Sequence, residues 1–288
     1  MQDLQTNSPP VTEQDWATPS GHRMHYRKGG TGPPLLLIHG LVAYSFSWRF
    51  NLPALARQFT CYAVDLLGMG DSERPVGIDV SPRALAAGLV AFMQAQGCEP
   101  WSVIGSSHGG GVAMWVARLA REAGIPLRRL VLVAPINPWS SHGRRLAPFA
   151  AHPWTAAVVR ASRFAYVPVR RATFRRMYGD PSRVTEETLA GYARPLRTKG
   201  TVAHCLALLK DWIHNVDELE EVMRAIEVPT LLVWGTKDRL VYLSSAPRIV
   251  ETMPHARLVT IEGTGHLPYE ERPEEFNAAV IPFLNTAS

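Results

Sequence analysis

Short apolar runs alternate with longer amphipathic stretches along most of the chain. The runs at residues 35–38 (LLLI) and 130–134 (LVLVA) are continuously apolar, and five other short runs share their β-rich character. A strand that is apolar on both sides is typical of a parallel sheet covered by helices on both faces. The pattern predicts seven strands, at residues 24–27, 35–38, 61–64, 102–104, 130–134, 230–234 and 258–261.

The stretches between these runs have the spacing of helices. One of them has clear ends, because Ser81 is a good N-cap, Pro82 suits the first helical position and Gly97 stops the helix. Strands that alternate with helices in this way indicate an α/β fold with a mostly parallel sheet. We predict helices near residues 48–58, 82–96, 110–123, 246–252 and 273–284.

The alternation stops between residues 137 and 213, a segment called the insertion below. It has no clear strand, contains six prolines, and carries 13 Lys and Arg against 4 Asp and Glu between residues 139 and 216, a net charge of +9. A loop of this length without structure is uncommon in a compact domain. We therefore predict a helical cap subdomain at residues 137–213, inserted into an α/β core formed by residues 1–136 and 214–288.

The composition excludes several classes of protein. The 288 residues are 46% hydrophobic and 19% charged, which is ordinary for a globular protein. No apolar run reaches the ~18 residues that cross a membrane, and the polar N-terminal segment lacks the pattern of a signal peptide. Three cysteines have no metal-ligand spacing, and no nucleic-acid motif accompanies the basic insertion. We expect a cytoplasmic protein that binds no nucleic acid and has no membrane span.

Small residues cluster after the fourth predicted strand, in VIGSSHGGG at residues 103–111. The pattern G-x-S-x-G fits only residues 105–109, which places Ser107 at its centre, because Ser106 would need glycine at positions 104 and 108. A strand before the motif and a helix after it are the context of a nucleophile elbow, whereas the phosphate-loop patterns fail here. In such a turn, Gly105 and Gly109 avoid side chains that would collide with the backbone. The pentapeptide alone still leaves a plain Gly/Ser loop open.

A serine hydroxyl needs a base, and the base needs a group that orients it. Asp238 follows one predicted strand and His266 follows the last, in the order serine, acid, histidine. The carboxyl ends of parallel strands meet at one edge of a sheet, so Ser107, Asp238 and His266 are expected to converge there. His108 is interpreted as a wall of the site, and His255 lies at the opposite end of the last strand.

These residues belong to a set of motifs that resembles the α/β-hydrolase fold serine hydrolases over residues 16–284. Besides the elbow, the set includes LIHG at 37–40, DLLGMGDS at 65–72, WGTKD at 234–238 and GH at 265–266. The resemblance implies a mostly parallel eight-stranded sheet with a helical cap inserted after the sixth strand. It also implies an oxyanion hole formed by the backbone N–H groups of Leu41 and His108.

The residue type at the nucleophile position limits the reactions that the protein is expected to catalyse. Haloalkane dehalogenases and epoxide hydrolases of this type carry aspartate at the elbow, where this chain has Ser107. Ring-fission C–C bond hydrolases use serine but typically carry tryptophan after the catalytic histidine, where this chain has Leu267. We therefore predict a carboxylic ester hydrolase acting on a small molecule with an apolar acyl or aromatic group. A C–C bond hydrolase, a cofactor-free perhydrolase and a ligand-sensing protein with an idle triad stay open. Candidate pocket residues are Trp154, Phe174, Trp212, Val241 and Leu267.

No metal or cofactor is expected. His22 and His25 lie three positions apart in a strand and so face opposite sides of it. Asp65 and Asp71 belong to the DLLGMGDS turn, where we predict a structural, hydrogen-bonding role rather than catalysis.

Overall fold

An eight-stranded sheet forms the centre of the computed structural model, which describes residues 9–97, 99–140 and 166–286. The strand order is β1-β2-β4-β3-β5-β6-β7-β8; β2 is antiparallel to β1 and β4, and the remaining pairs are parallel. All seven predicted strands are present, so the predicted α/β fold is confirmed. The strands are β1 Val11–Ala17, β2 Arg23–Gly29, β3 Pro34–Ile38, β4 Thr60–Val64, β5 Trp101–Ser106, β6 Leu127–Val133, β7 Thr230–Gly235 and β8 Ala256–Ile261.

Eleven helices are described around the sheet. Ser81 Oγ accepts the Ala84 N–H at 3.2 Å and Gly97 ends the same helix at φ 65°, as predicted. The helices are α1 Leu52–Leu55, α2 Pro82–Gln96, α3 His108–Glu122, α4 Tyr166–Met177, α5 Glu186–Leu196, α6 Thr201–Lys210, α7 Trp212–Asp217, α8 Leu219–Arg224, α9 Ala246–Thr252, α10 Pro268–Glu271 and α11 Pro273–Asn285.

The helix predicted near residues 48–58 is present but much shorter. A 3₁₀ turn at Ser45–Trp48 precedes the four-residue α1. Pro53 lacks an N–H and would break a helix that had begun several residues earlier, so α1 starts next to it at Leu52.

The sheet has an apolar core on each face. Successive side chains of a strand point to opposite faces, so Leu36 and Ile38 pack on the side of α2, α3, α8 and α9. Leu35 and Leu37 pack on the side of α1 and α11. This two-sided burial leaves the strand ends as the place where polar side chains gather.

Helices α4 to α7 lie between β6 and β7, and the described part of the insertion contains no strand. This agrees with the helical character predicted for residues 137–213, whereas the boundaries of a separate subdomain remain a prediction. Trp154 lies outside the described residues. Within the described ranges, no helix is long and apolar enough to cross a membrane.

Candidate active site

The backbone at Ser107 is strained. This residue joins β5 to α3 with φ 54° and ψ −118°. In the described ranges, the non-glycine residues with positive φ are Val42, Ser107 and Ala134, and they follow β3, β5 and β6. These strands end at the same edge of the sheet, and such conformations cost about 1–3 kcal/mol each. The strain is therefore concentrated where the sequence predicts the reaction to occur.

The glycines beside Ser107 are required sterically. A Cβ at Gly105 would lie 2.3 Å from the Gly109 carbonyl oxygen, and one at Gly109 would lie 2.2 Å from the His39 carbonyl oxygen. Both contacts are impossible for a real side chain, which confirms the reason predicted for these two glycines. Gly110 makes room for Pro135, whose Cβ would be 2.7 Å away, so it serves the segment after β6.

Asp238 and His266 form a buried pair. His266 Nδ1 lies 2.8 Å from Asp238 Oδ2, and the two side chains are 4% and 0% exposed. Asp238 Oδ1 accepts the backbone N–H groups of Leu240 and Val241 at 2.8 and 3.0 Å, which fixes the carboxylate. The ionised carboxylate accepts only, so Nδ1 carries the proton and Nε2 is available as a base.

Ser107 is held by its backbone, and its hydroxyl does not cap α3. Its N–H donates to Val133 O at 2.8 Å, and its carbonyl accepts from Gly110 N and Ile136 N at 2.9 and 3.1 Å. Among the described residues, no hydrogen bond joins Ser107 Oγ to His266. Such contacts commonly tighten only when substrate binds.

The segment after β3 packs directly against Ser107. A Cβ on Gly40 would lie 3.3 Å from Ser107 Cβ and 3.9 Å from its Oγ. In the part of the chain that the structure describes, the backbone N–H groups of Leu41 and His108 donate to no protein acceptor. Both predicted oxyanion donors thus remain available beside the serine.

His39 holds this segment in place. Its Nε2 accepts the Leu66 N–H at 3.0 Å, so its Nδ1 is the protonated nitrogen and donates to Gly40 O at 2.8 Å. Burial lowers the pKa of His39, which favours the neutral ring that this arrangement needs. The sequence analysis placed His39 in the LIHG motif before the first oxyanion donor but did not predict these two hydrogen bonds.

His108 is unsuited to act as a base. It is 1% exposed, and burial, followed by the nearby His39, lowers its pKa to about 3. Its ring stacks on Trp212 with 6.1 Å between the ring centres. The interpretation of His108 as a wall agrees with this packing, and His255 is exposed at the start of β8, away from Ser107.

The predicted pocket residues fall into two groups. Trp212 and Val241 line the same cavity of about 30 Å³, whereas Phe174 packs against the ring of Tyr192 at 4.8 Å. Leu267 is buried in the same apolar cluster as Phe174. A larger cavity of about 530 Å³ lies at the other end of the sheet, between α3 and β7, and is remote from the chemistry. The role of these residues toward substrate stays a prediction.

The DLLGMGDS turn is a hydrogen-bonded structure. Asp65 accepts the N–H groups of Ser45 and Asp71 at 2.7 Å each, and the Asp71 carboxylate pairs with Arg194 of α5. Potential ligand atoms of His25, Asp65 and Asp71 lie within 4.8 Å of one another. Because both carboxylates are already used, this geometry favours the predicted structural role over a metal site.

A buried acid four residues after His266, Glu270, was not predicted from the sequence. Glu270 pairs with Arg49 at 3.0 Å and accepts the hydroxyl groups of Tyr178, at 2.9 Å, and Tyr192. Burial raises the pKa of Glu270, and Arg49 and the two tyrosines oppose this effect. The available signal was the pair of acids in the otherwise apolar stretch GHLPYEE.

Comparisons with known proteins place the chain among relatives and solved structures of similar fold. Haloalkane dehalogenase 2 from Mycobacterium tuberculosis is 30% identical over 290 residues, covering 93% of this chain and 94% of its own. N-formylmaleamate deformylase from Pseudomonas putida is 30% identical over 273 residues, covering 92% and 94%. The solved structure of the epoxide hydrolase CorEH has a TM-score of 0.83 at 24% identity, covering 95% of this chain and 98% of its own. A variant of the meta-cleavage product hydrolase from Pseudomonas fluorescens has a TM-score of 0.80 at 24% identity, covering 94% and 97%.

The two solved structures show a shared fold and no more. A family model described as the alpha/beta hydrolase fold matches residues 33–273, which is most of the chain. The protein therefore belongs to the alpha/beta hydrolase fold family.

Proposed function

We propose that the protein is a serine hydrolase that cleaves small carboxylic esters through an acyl-enzyme on Ser107. The observation that carries this proposal is the buried Asp238–His266 hydrogen bond of 2.8 Å, at the sheet edge where Ser107 is held in a strained turn. A serine with positive φ, an oriented imidazole and two free backbone N–H groups are the parts that acyl transfer needs.

The reaction has two halves. Ser107 Oγ attacks the ester carbonyl as His266 Nε2 takes its proton, and the tetrahedral oxyanion accepts hydrogen bonds from the N–H groups of Leu41 and His108. Collapse breaks the bond to the alcohol, which leaves with the proton from His266. Water then attacks the acyl-enzyme with His266 as base, the bond between the acyl carbon and Ser107 Oγ breaks, Oγ takes the proton from His266, and the acid is released. Asp238 stabilises the imidazolium in both halves.

Serine chemistry favours an ester over the substrates named for some relatives. Attack by Ser107 on a haloalkane or an epoxide would leave an alkyl ether on the enzyme, which water does not hydrolyse. An acyl group on Ser107 is an ester, which activated water does cleave. The similarity to a haloalkane dehalogenase and an epoxide hydrolase therefore supports the fold and not those activities.

A labelling experiment tests the proposal. The purified protein is treated with a fluorophosphonate probe and digested, and the modified peptide is identified by mass spectrometry. A panel of p-nitrophenyl esters of increasing acyl length, with a vinylogous ring-fission diketone beside it, is assayed in parallel. We expect label on Ser107 and turnover of short esters. If the protein turned over the diketone but no ester, its activity would be C–C bond cleavage and not ester hydrolysis. If no residue were labelled, the protein would be a ligand sensor with an idle triad.

A further inference from the structure

The end of the insertion lies directly on the loop that carries His266. The His266 N–H donates to the carbonyl of Met177, the last residue of α4, at 2.6 Å. We call residues 177–180 the strap and residues 262–266 the histidine loop. The backbone of His266 is thus held by a segment of the insertion that lies 89 residues earlier in the chain.

One carboxylate joins the strap to the histidine loop. Glu271 Oε1 accepts the Gly265 N–H at 2.6 Å, and Oε2 accepts the N–H groups of Gly179 and Asp180 at 2.9 and 3.1 Å. Glu271 is only 2% exposed. Because Gly265 precedes His266, a shift of this carboxylate moves the backbone of the base.

Glycines bring the backbones into closer contact than side chains would allow. A Cβ on Gly179 would lie 2.2 Å from Gly263 O, and one on Gly265 would lie 2.2 Å from Met177 O. At the end of β7, a Cβ on Gly235 would lie 2.0 Å from Gly265 O. Strap, histidine loop and β7 are therefore stacked backbone on backbone, and a displacement of one has no free space to absorb it.

We propose that Glu271 is a positioning residue for His266, because it fixes the histidine loop to the strap. Glu271 touches neither Ser107 nor the reacting atoms in this scheme, and it acts by fixing the backbone of Gly265. The inference rests on the proposed function, because it assigns His266 the role of base.

Glu271→Gln is the informative change. An amide keeps the shape of the side chain but replaces one acceptor oxygen by an N–H₂ group, which then faces backbone N–H donors. Small misplacements of a catalytic group cost rate more than binding, up to roughly 10²-fold for about 1 Å. We expect kcat for a p-nitrophenyl ester to fall about 10- to 100-fold while KM changes less than about threefold.

Glu270→Gln is the matched control. Glu270 is the adjacent buried acid, and it binds Tyr178 of the strap and Tyr192 of α5 but no group of the histidine loop. Its loss removes the buried carboxylate that pairs with Arg49, so the thermal midpoint is expected to fall at least as far as in Glu271→Gln. Its kcat is expected to stay within about fivefold of the parent, because Glu270 reaches the strap only through the Tyr178 hydroxyl, while the backbone bonds of the strap to Glu271 and His266 stay in place.

A proton spectrum provides a readout that needs no turnover. The Nδ1–H of His266, bonded to Asp238, is expected to give a low-field resonance in the parent and in Glu270→Gln, and to be weakened or lost in Glu271→Gln. An unchanged resonance and kcat in Glu271→Gln would overturn the inference. The inference would also be overturned if kcat fell in both variants in proportion to the fall of their thermal midpoints. If the parent protein shows the resonance but takes no fluorophosphonate label, the proposed function is contradicted. The role of Glu271 in positioning His266 is then tested by the resonance alone.

Discussion

At the scale of single residues, Ser107 and its neighbour Ser106 have the same side chain but different expected roles. Only Ser107 has glycine on both sides at the required spacing and a positive φ, whereas Ser106 is the last, fully buried residue of β5. We expect Ser107→Ala to fold and to lose about 10⁴-fold or more in ester hydrolysis, since removal of a triad member leaves only binding and the oxyanion donors. Ser106→Ala is expected to keep most activity. Similar losses in both variants would contradict the assigned register.

Three buried histidines predict a stability that depends on pH. Burial lowers the pKa of His39 and of His204, and lowers that of His108 to about 3. Below the ordinary histidine pKa of about 6.5, these histidines bind protons in the unfolded chain but stay neutral in the folded protein. The free energy of unfolding therefore falls as the pH falls. Each such group contributes a slope of up to about 1.4 kcal/mol per pH unit.

Urea unfolding between pH 7 and pH 5 measures this slope. His108→Asn is expected to reduce the loss of stability over that interval, and the exposed His255→Asn, as control, is expected to leave it unchanged. Equal slopes in the parent and in His108→Asn would show that His108 is not kept neutral by the fold.

At the scale of elements, two glycines in neighbouring helices have opposite roles. Gly109, in the first turn of α3, has no room for a side chain, because its Cβ would meet the His39 backbone at 2.2 Å. Gly88, inside α2, has nothing within 4 Å of the same position. We expect Gly109→Ala to destabilise by roughly 1–3 kcal/mol or more. Gly88→Ala is expected to stabilise by roughly 0.5–1 kcal/mol. Thermal unfolding of the two variants checks both signs, and a stable Gly109→Ala would mean that the elbow is looser than its contacts indicate.

The elements that the sequence predicted are those whose apolar pattern is strong. Six of the seven predicted strands contain a run of buried residues, and β8 was found from its apolar residues although only Ile261 is buried. In contrast, β1 was missed, since it has no apolar run and none of its seven residues is buried. An edge strand with one neighbour needs no continuous apolar run, and its pairing with β2 comes from backbone hydrogen bonds. The Asp238–His266 contact followed from the order of the motifs. The strap did not, because Gly179 and Glu271 meet across 92 positions with no spacing rule to reveal them.

At the scale of the whole molecule, the basic insertion raises the question of whether it selects anionic substrates. Several of its described arginines are held in ion pairs, Arg194 with Asp71, Arg171 with Glu186 and Arg183 with Asp180, so these side chains are not free to bind an anionic substrate. We therefore expect a neutral ester and its carboxylate-bearing analogue to be cleaved with a similar dependence on salt. Their kcat/KM values at low and high ionic strength test this. An advantage of the anionic analogue that is large at low salt and disappears at high salt would show that the insertion attracts anions.

Substrate preference is expected to come from the insertion and the chemistry from the core. Trp212 lines a cavity and stacks on His108, the residue after the nucleophile, whereas Val131 is buried in the middle of the sheet. We predict that Trp212→Ala changes the ratio of kcat/KM values between short and long acyl esters, as substitutions at Trp154 or Phe174 also should. Val131→Ala is expected to lower stability and to leave that ratio in place. If Val131→Ala shifted this ratio and Trp212→Ala did not, the insertion would not determine substrate preference.

A rapid-quench experiment detects an acyl group that passes through Ser107. The protein is mixed with p-nitrophenyl acetate at low temperature, quenched in acid within the first turnover, digested and analysed by mass spectrometry. We expect a burst of nitrophenolate, with one acetyl group on the peptide that contains Ser107 and none there in Ser107→Ala. Turnover with no acetyl group on that peptide, or an acetyl group on another residue in the burst, would contradict the acyl-enzyme mechanism.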